Sequence, residues 1–479
     1  MIEEPMSPSP QPPSDPADGD HADPWSAAIA AYATRPPEPM PAALTRATVD
    51  RVADAVGCAL GAGAEDPAPR SVHRFADHGG DHPVWGTPYA AADPATAALA
   101  NAALVRYLDA NDAYHGIEPI HPSDVIPAVL AAARLGDAPA TTALDGIATA
   151  YEVAMTAADA IAPTPRGFDH VNVTMLGAVA GCARAIGPST AQATHAVAIA
   201  VTSHVALRQT RTGRISMWKA FAAADACRHA LESARLAAAG VEGPGQPFVG
   251  TAGLFPLALG IPAGVGEAPV LRLPPTTPER LPNSQVKPYP CGSTIQAPAH
   301  AALRLVERGV AARDIARVDI HVGPETRSLH AGPDKLHPRT RETADHSVPF
   351  VVACILTHGE LSIASFADEI VHDAELHAFL EHRVRVLDDP ALDGGHDRGF
   401  PTRVEVIRHD GSSVREEVAD PPGAPRSPLS PETLRRKFED LGRRSALADG
   451  GAAAWEAVRA LGEPGGRIEA LERALRAPR

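Results

Sequence analysis

Residues 93–136 read DPATAALANAALVRYLDANDAYHGIEPIHPSDVIPAVLAAARLG: two alanine-rich segments with a polar stretch between them. The first segment opens with Asp93, a side-chain N-cap, and with Pro94 at the first helical position. Ala100, Ala103, Leu104 and Tyr107 then recur at helical spacing. The second segment is expected to start at a Ser123 cap and to stop at Gly136. Between the helices, residues 107–124 hold three aspartates, a glutamate, an asparagine and two histidines. Such a dense set of titratable groups between two apolar helices admits three readings: a solvated loop, a metal site, or an acid/base centre.

The helical texture extends outward from this stretch over residues 25–273. TALDGIATAYEVAMTAADAI adds a further helix, with Thr142 and Asp145 spaced as a capping box. After residue 273 the period changes. RVDIHVG alternates Val318, Ile320 and Val322, HRVRVLDD repeats this at Val384 and Val386, and TRVEVIRHDGSSVREEV reads as a hairpin turning at Asp410-Gly411. Helical stretches near 295–308 and 345–358 lie among these strands, so residues 274–425 form an α+β domain. Ser430 and Pro431 open a last helical segment, residues 426–479, expected to pack back on the first domain. The fold class is therefore mainly α: a large all-helical domain with a smaller α+β insertion.

Residues 1–24 are acidic and proline-rich, and are expected to form a disordered tail without a signal peptide. No long apolar run free of polar breaks suggests a membrane span, so a cytoplasmic protein is expected. The net charge of -15 argues against a nucleic-acid partner, which needs a basic face, but not against a small anion held in a local cationic pocket. Cys58, Cys182, Cys227, Cys291 and Cys354 are scattered and include no CxxC pair, which speaks against zinc ribbons and iron–sulfur clusters and for reduced, buried thiols.

The chemistry divides among several stretches. DANDAY lacks the glycine and distal glutamate of a calcium loop, and His115 and His121 are not spaced as a helical zinc pair. Acid/base work suits His121, with Asp109 or Asp112 nearby. Lys219 stands at the start of an alanine-rich helix, where a cation opposes the helix dipole unless an anion binds there. Arg208, Arg211 and Arg214 precede it, and Lys287 sits among prolines in KPYPCGS. His170 precedes another buried-looking helix, and Asp345 before His346 reads as an N-cap.

Taken in order, VWGTPYAAADPATAALANAALVRYLDANDAYH, HPSD, GFDH, WKAFAAADACRHA, KPYPCGS and RETADHSVPF resemble the MmgE/PrpD family over residues 25–440, with LDxND, HPSD and RETADHS most similar to its 2-methylcitrate dehydratase branch. The resemblance implies a helical domain with an inserted α+β lid, a homodimer, and a site between the domains that needs no metal or organic cofactor. It implies catalytic roles for Asp109, His121 and His170, with His121 oriented by Asp109, and substrate contacts from Lys219 and Lys287, which Asp112 and Arg211 are expected to join. Ala113 stands where many members have threonine, and Gly292 to Thr294 where a histidine often follows the lysine. The implied activity is dehydration of a small di- or tricarboxylate such as 2-methylcitrate. Decarboxylation, epimerisation and a non-catalytic scaffold are the alternatives.

Overall fold

The computed structural model describes residues 23–63, 66–212, 215–392 and 399–478. The fold is mainly α, as the periodicity predicts. The first part builds on the helices Pro24–Ala33, Ala42–Gly61, Pro67–Ala76, Pro94–Tyr107, Ile126–Leu135, Ala140–Ala160, Val171–Ile186, Thr190–Ser203 and Trp218–Ala238. Small residues let these helices approach closely. A Cβ on Gly177 would lie 2.3 Å from the Ala150 carbonyl oxygen, and one on Gly181 2.7 Å from that of Gly146, so a larger side chain at either position would push the helices Ala140–Ala160 and Val171–Ile186 apart. Alanine thus does two things in this chain: it favours helix and it permits close crossings.

Asp93 caps its helix as expected, accepting from the Ala95 and Thr96 N–H groups at 3.0 and 2.9 Å. Two other expected caps are absent. Ser123 lies inside a 3₁₀ turn, Pro122–Val125, and accepts instead from Asn111. The helix expected at Thr142 begins at Ala140 after Pro139, and Asp145 pairs with Arg35 and Arg184. At Ser123 a buried amide takes the hydroxyl, and at Asp145 two arginines take the carboxylate, so neither side chain serves as the expected cap.

A second apolar core surrounds a four-stranded mixed sheet. Ile315–Val322 runs parallel to Val384–Asp388 on one side and antiparallel to Thr402–Arg408 on the other, and Ser413–Val418 closes the hairpin at the edge. Val318, Ile320 and Val322 are wholly buried. The helices Gln296–Glu307, Val348–His358 and Ala374–Arg383 complete this core.

The chain then returns to the first core. Leu434, Phe438, Trp455, Val458 and Leu471 share it with Val49, Val52 and Val56. The contact is close because Gly57 and Gly61 present no side chain: Cβ atoms there would lie 3.2 Å from Phe438 Cδ2 and 2.5 Å from Leu441 Cδ2. The two passages between the cores are fastened together, the Val286 N–H donating to the Gly423 carbonyl at 3.0 Å. All five cysteines are buried and free. No helix among the described residues is long and apolar enough to cross a membrane.

The expected tail, residues 1–24, falls outside the described residues up to residue 22. Asp23 and Pro24 belong to the fold. Asp23 Oδ1 caps the first helix at the Trp25 and Ser26 N–H groups, at 3.1 and 3.0 Å, while Oδ2 accepts from Phe248 and Val249 at 2.9 and 3.2 Å. One buried carboxylate thus satisfies four backbone donors from two distant segments. Asp23→Ala is expected to lower the unfolding free energy by about 2–4 kcal/mol, since a cap and buried donors are lost together. Denaturant titration measures this, and an unchanged midpoint would mean that water replaces the carboxylate.

Candidate active site

A cleft of about 300 Å³ opens between the two cores. The helical side contributes Arg106, Asp109, His121, His170, Arg211 and Lys219, and the facing side Gly292, His330, Lys335 and His346. A larger hollow, about 510 Å³, lies behind Ala110 and Pro288 and is lined by none of these histidines.

The cleft is organised around Asp109. The helix Pro94–Tyr107 ends just before it, and Asp109 adopts a left-handed backbone, φ 53°. Such a conformation is costly for a residue with a Cβ and persists only where the surroundings hold it. Here Lys287 Nζ donates both to the Asp109 carbonyl and to its Oδ1, which also lies 3.0 Å from Arg106. Oδ2 lies 3.0 Å from Lys219 Nζ and 3.1 Å from His346 Nε2. Burial opposes ionisation of this carboxyl, but Arg106, Lys219, Lys287 and His346 together hold it well below the usual carboxylate range. Lys437, from the returning helix Pro431–Gly442, fastens the same turn from behind. Its Nζ donates to the Ala110 and Lys287 carbonyls, each at 2.7 Å, and pairs with Asp54.

His121 lies beside this cluster. Its Nδ1 is 2.8 Å from the Asp112 carbonyl, an obligate acceptor, so geometry assigns the ring proton to Nδ1. The Nε2 lone pair then faces Arg106 at 3.0 Å. Burial, with Arg106 and Lys287, pushes the imidazole well below its usual pKa. His170 lies 5.9 Å away, ring centre to ring centre. Its Nδ1 is 3.0 Å from Asp169, whose other oxygen is held by Arg211 at 3.0 Å. Its Nε2 has no hydrogen-bond partner among the described residues, which leaves a lone pair at the cleft. Burial and Arg211 push His170 down to about 3, so both rings are neutral at neutral pH.

The facing side closes the ionic cluster. His346 Nδ1 contacts Asp345, and Lys219 reaches His346 Nδ1 at 3.2 Å and Asp345 at 3.7 Å. Burial and Lys219 lower the His346 pKa. Among the described residues, Arg106, Lys219 and Lys287 meet Asp109 and Asp345 within ion-pair distance, and the cleft lining as a whole carries Arg106, Arg208, Arg211, Lys219 and Lys335 against Asp109 and Glu118, which favours an incoming anion. Asp109, Asp345 and His346 have ligand atoms close enough together for a metal ion, but the ammonium groups of Lys219 and Lys287 already occupy the Asp109 oxygens.

The structure brings Asp109, His121, His170, Lys219 and Arg211 to one cleft. It does not bring Lys287 or Asp112 there. Lys287 is wholly buried beneath Asp109, and Asp112 spends its carboxylate on the Ser123 N–H and Tyr151 hydroxyl, both at 2.9 Å. Asp109 makes no hydrogen bond to His121; the ring is oriented by the Asp112 carbonyl, and Arg106 stands between the two. Arg214 lies outside the described residues. The sequence reading missed Arg106 and His346. Arg106 precedes Asp109 by three residues at the end of a helix, a spacing that pairs side chains and was a usable signal. Asp345 read as an N-cap, but Ser347 caps that helix, which frees Asp345 and His346 for the cleft.

Residues 27–262 match the MmgE/PrpD N-terminal domain, and residues 289–462 match its C-terminal domain. The chain is 29% identical over 355 residues to the 2-methylcitrate dehydratase of Salmonella typhimurium, covering 69% of this chain and 71% of that protein. It is 28% identical over 360 residues to the 2-methylcitrate dehydratase of Cupriavidus necator, with the same coverage of 69% and 71%. Against the alkylcitrate dehydratase phiI of Talaromyces stipitatus it is 25% identical over 382 residues, covering 74% and 75%. With two domain matches running from residue 27 to residue 462 and the cleft walled by both, this chain belongs to the MmgE/PrpD family.

Proposed function

We propose that this protein is a hydro-lyase that dehydrates a citrate-like hydroxy-tricarboxylate, 2-methylcitrate first among them, without a metal or organic cofactor. The observation that carries the reading is a pair of neutral histidines, 5.9 Å apart, set in a cleft with excess positive charge. Removing water from such an acid needs a base for the proton beside a carboxylate, and a proton for the departing hydroxyl. His170 Nε2 has the free lone pair to take the first, and Asp169 behind it stabilises the imidazolium that results. The C–H electrons become the double bond, the C–O bond breaks, and the proton that His170 Nε2 has taken up passes to the departing hydroxide, which leaves as water and returns the ring to its neutral state. Lys219, Arg106 and Arg211 hold carboxylates and stabilise the charge that builds on the enolate-like transition state. Asp109, Lys287 and Asp112 fix these groups in place.

Relatives named as citrate-type dehydratases support the dehydration reading. A homodimer belongs to the same proposal: Leu207, Met217 and Trp218 are exposed on adjoining segments near the cleft and would be covered by a second copy. Sedimentation of the Trp218→Glu variant would show monomers where wild type shows dimers, and a wild-type monomer would end that part of the reading.

The direct test is incubation of chelator-dialysed protein with 2-methylcitrate and related hydroxy acids, followed by absorbance of the unsaturated acid and by mass. A product lighter by carbon dioxide would make it a decarboxylase. Activity restored only by a divalent ion would overturn the metal-free mechanism.

The two lysines separate by kinetics. Lys219→Met is expected to raise KM by about 10–100-fold through loss of a charge-assisted contact. Lys287→Met, which touches no substrate, is expected to act on kcat through a displaced Asp109. Equal KM effects would put both lysines in the cleft. The pH profile gives a further check. His170 must be unprotonated to act, and its pKa is depressed, so the acid limb of kcat/KM should lie below the ordinary imidazole value of about 6.5. Arg211→Gln removes a cation that depresses His170 and should move that limb to higher pH. A wild-type limb above about 6.5 would remove His170 as the base.

A further inference from the structure

The wall opposite the two catalytic candidates carries another imidazole that the mechanism leaves unused. His330 ends the short helix Pro324–His330 and lines the cleft. Its Nδ1 lies 2.7 Å from Thr294 Oγ1. Thr294 is buried, and this is its only side-chain hydrogen bond among the described residues. A buried hydroxyl hydrogen needs an acceptor, so Thr294 donates to Nδ1 and the ring proton sits on Nε2. Nε2 itself makes no hydrogen bond among the described residues.

Gly292 makes room for this ring. Its backbone is ordinary, φ -50°, so the glycine is needed for space and not for conformation. A Cβ there would lie 3.2 Å from His330 Cε1 and 3.3 Å from Nε2. His346 packs edge-on against the ring, centres 5.0 Å apart, and Leu329 and Lys335 line the cleft on either side. Position, tautomer and orientation of the imidazole are thus each fixed by a separate contact.

We propose that His330 is a specificity-determining residue whose Nε2–H donates to one carboxylate oxygen of the substrate from the lid side of the cleft. This rests on the tricarboxylate reading given above. Burial, with His346 and Lys335 nearby, keeps the ring neutral, so it adds a directed donor and no charge. That suits a third carboxylate: the first two meet the arginines and Lys219, and the third meets a neutral donor on a wall that also carries Lys335, itself paired with Asp334. A substrate lacking that arm would leave the donor unmatched.

Titration calorimetry with two inert acids tests this. Propane-1,2,3-tricarboxylate has all three carboxylates and no hydroxyl to lose, and pentanedioate lacks the central one. Wild type is expected to bind the tricarboxylate about 10–100-fold more tightly. His330→Ala should lose about 10-fold or more of that tricarboxylate affinity and bind pentanedioate within about twofold of wild type. His330→Gln, which places an amide N–H near Nε2, should keep most of the preference, and Gly292→Ala should weaken it by displacing the ring. Tricarboxylate binding unchanged in His330→Ala would overturn the role of His330 and leave the hydro-lyase reading standing. A wild type that binds neither acid would sink both.

Discussion

The left-handed turn at Asp109 is the constraint on which the site depends. A residue with a Cβ pays roughly 1–2 kcal/mol to sit there. The conformation turns the chain sharply out of a buried helix, and it aims the carboxylate and the neighbouring carbonyls at different partners. Lys287 holds the Asp109 carbonyl and carboxylate, Lys437 holds the Ala110 carbonyl, and Arg106 and Lys219 hold the carboxylate oxygens. Each of these cations comes from a different segment of the chain. The turn is therefore the point at which the helical core, the α+β core and the returning helices are registered against one another.

The electrostatic design follows from that convergence. Burying several charges is costly unless they are matched. Here many are matched by carboxylates, while cations outnumber carboxylates along the cleft lining. The cleft thus attracts an anion without the penalty that a fully unpaired cluster of cations would carry. Burial, helped by Arg106 and Lys287 at His121 and by Arg211 at His170, keeps both rings neutral, which is the state a base must have. On the proposed mechanism, neighbouring side chains both bind the substrate and prepare the groups that act on it.

Much of this was legible in the sequence, and the failures have physical causes. Helix and strand positions follow from local periodicity, which burial imposes on every turn and pleat, as at Val318, Ile320 and Val322. The helix start at Asp93 was legible because its cap is local. Ser123 and Asp145 were misread because long-range partners outbid the local cap. In the site, Asp109, His121, His170, Lys219 and Arg211 share one cleft, and motif order alone had grouped them. What no local pattern encodes is which side of Asp109 a lysine reaches. Lys287 and Lys219 look alike as isolated cations, yet one lies beneath the carboxylate and the other in the cleft. Asp345 was hidden for the opposite reason: a plausible capping role explained it too well, and His346 beside it was left without a role.

Lys437 links the completion of the chain to the existence of the site. The helix that carries it, Pro431–Gly442, follows both cores in sequence, yet its ammonium group supplies the donor to the Ala110 and Lys287 carbonyls. During synthesis the histidines emerge early and the last tie emerges late. A nascent or truncated chain that stops before this helix holds His121 and His170 but lacks the clamp on the turn that faces the α+β core. Such a chain has the histidines without the contacts that Lys437 makes to the Ala110 and Lys287 carbonyls.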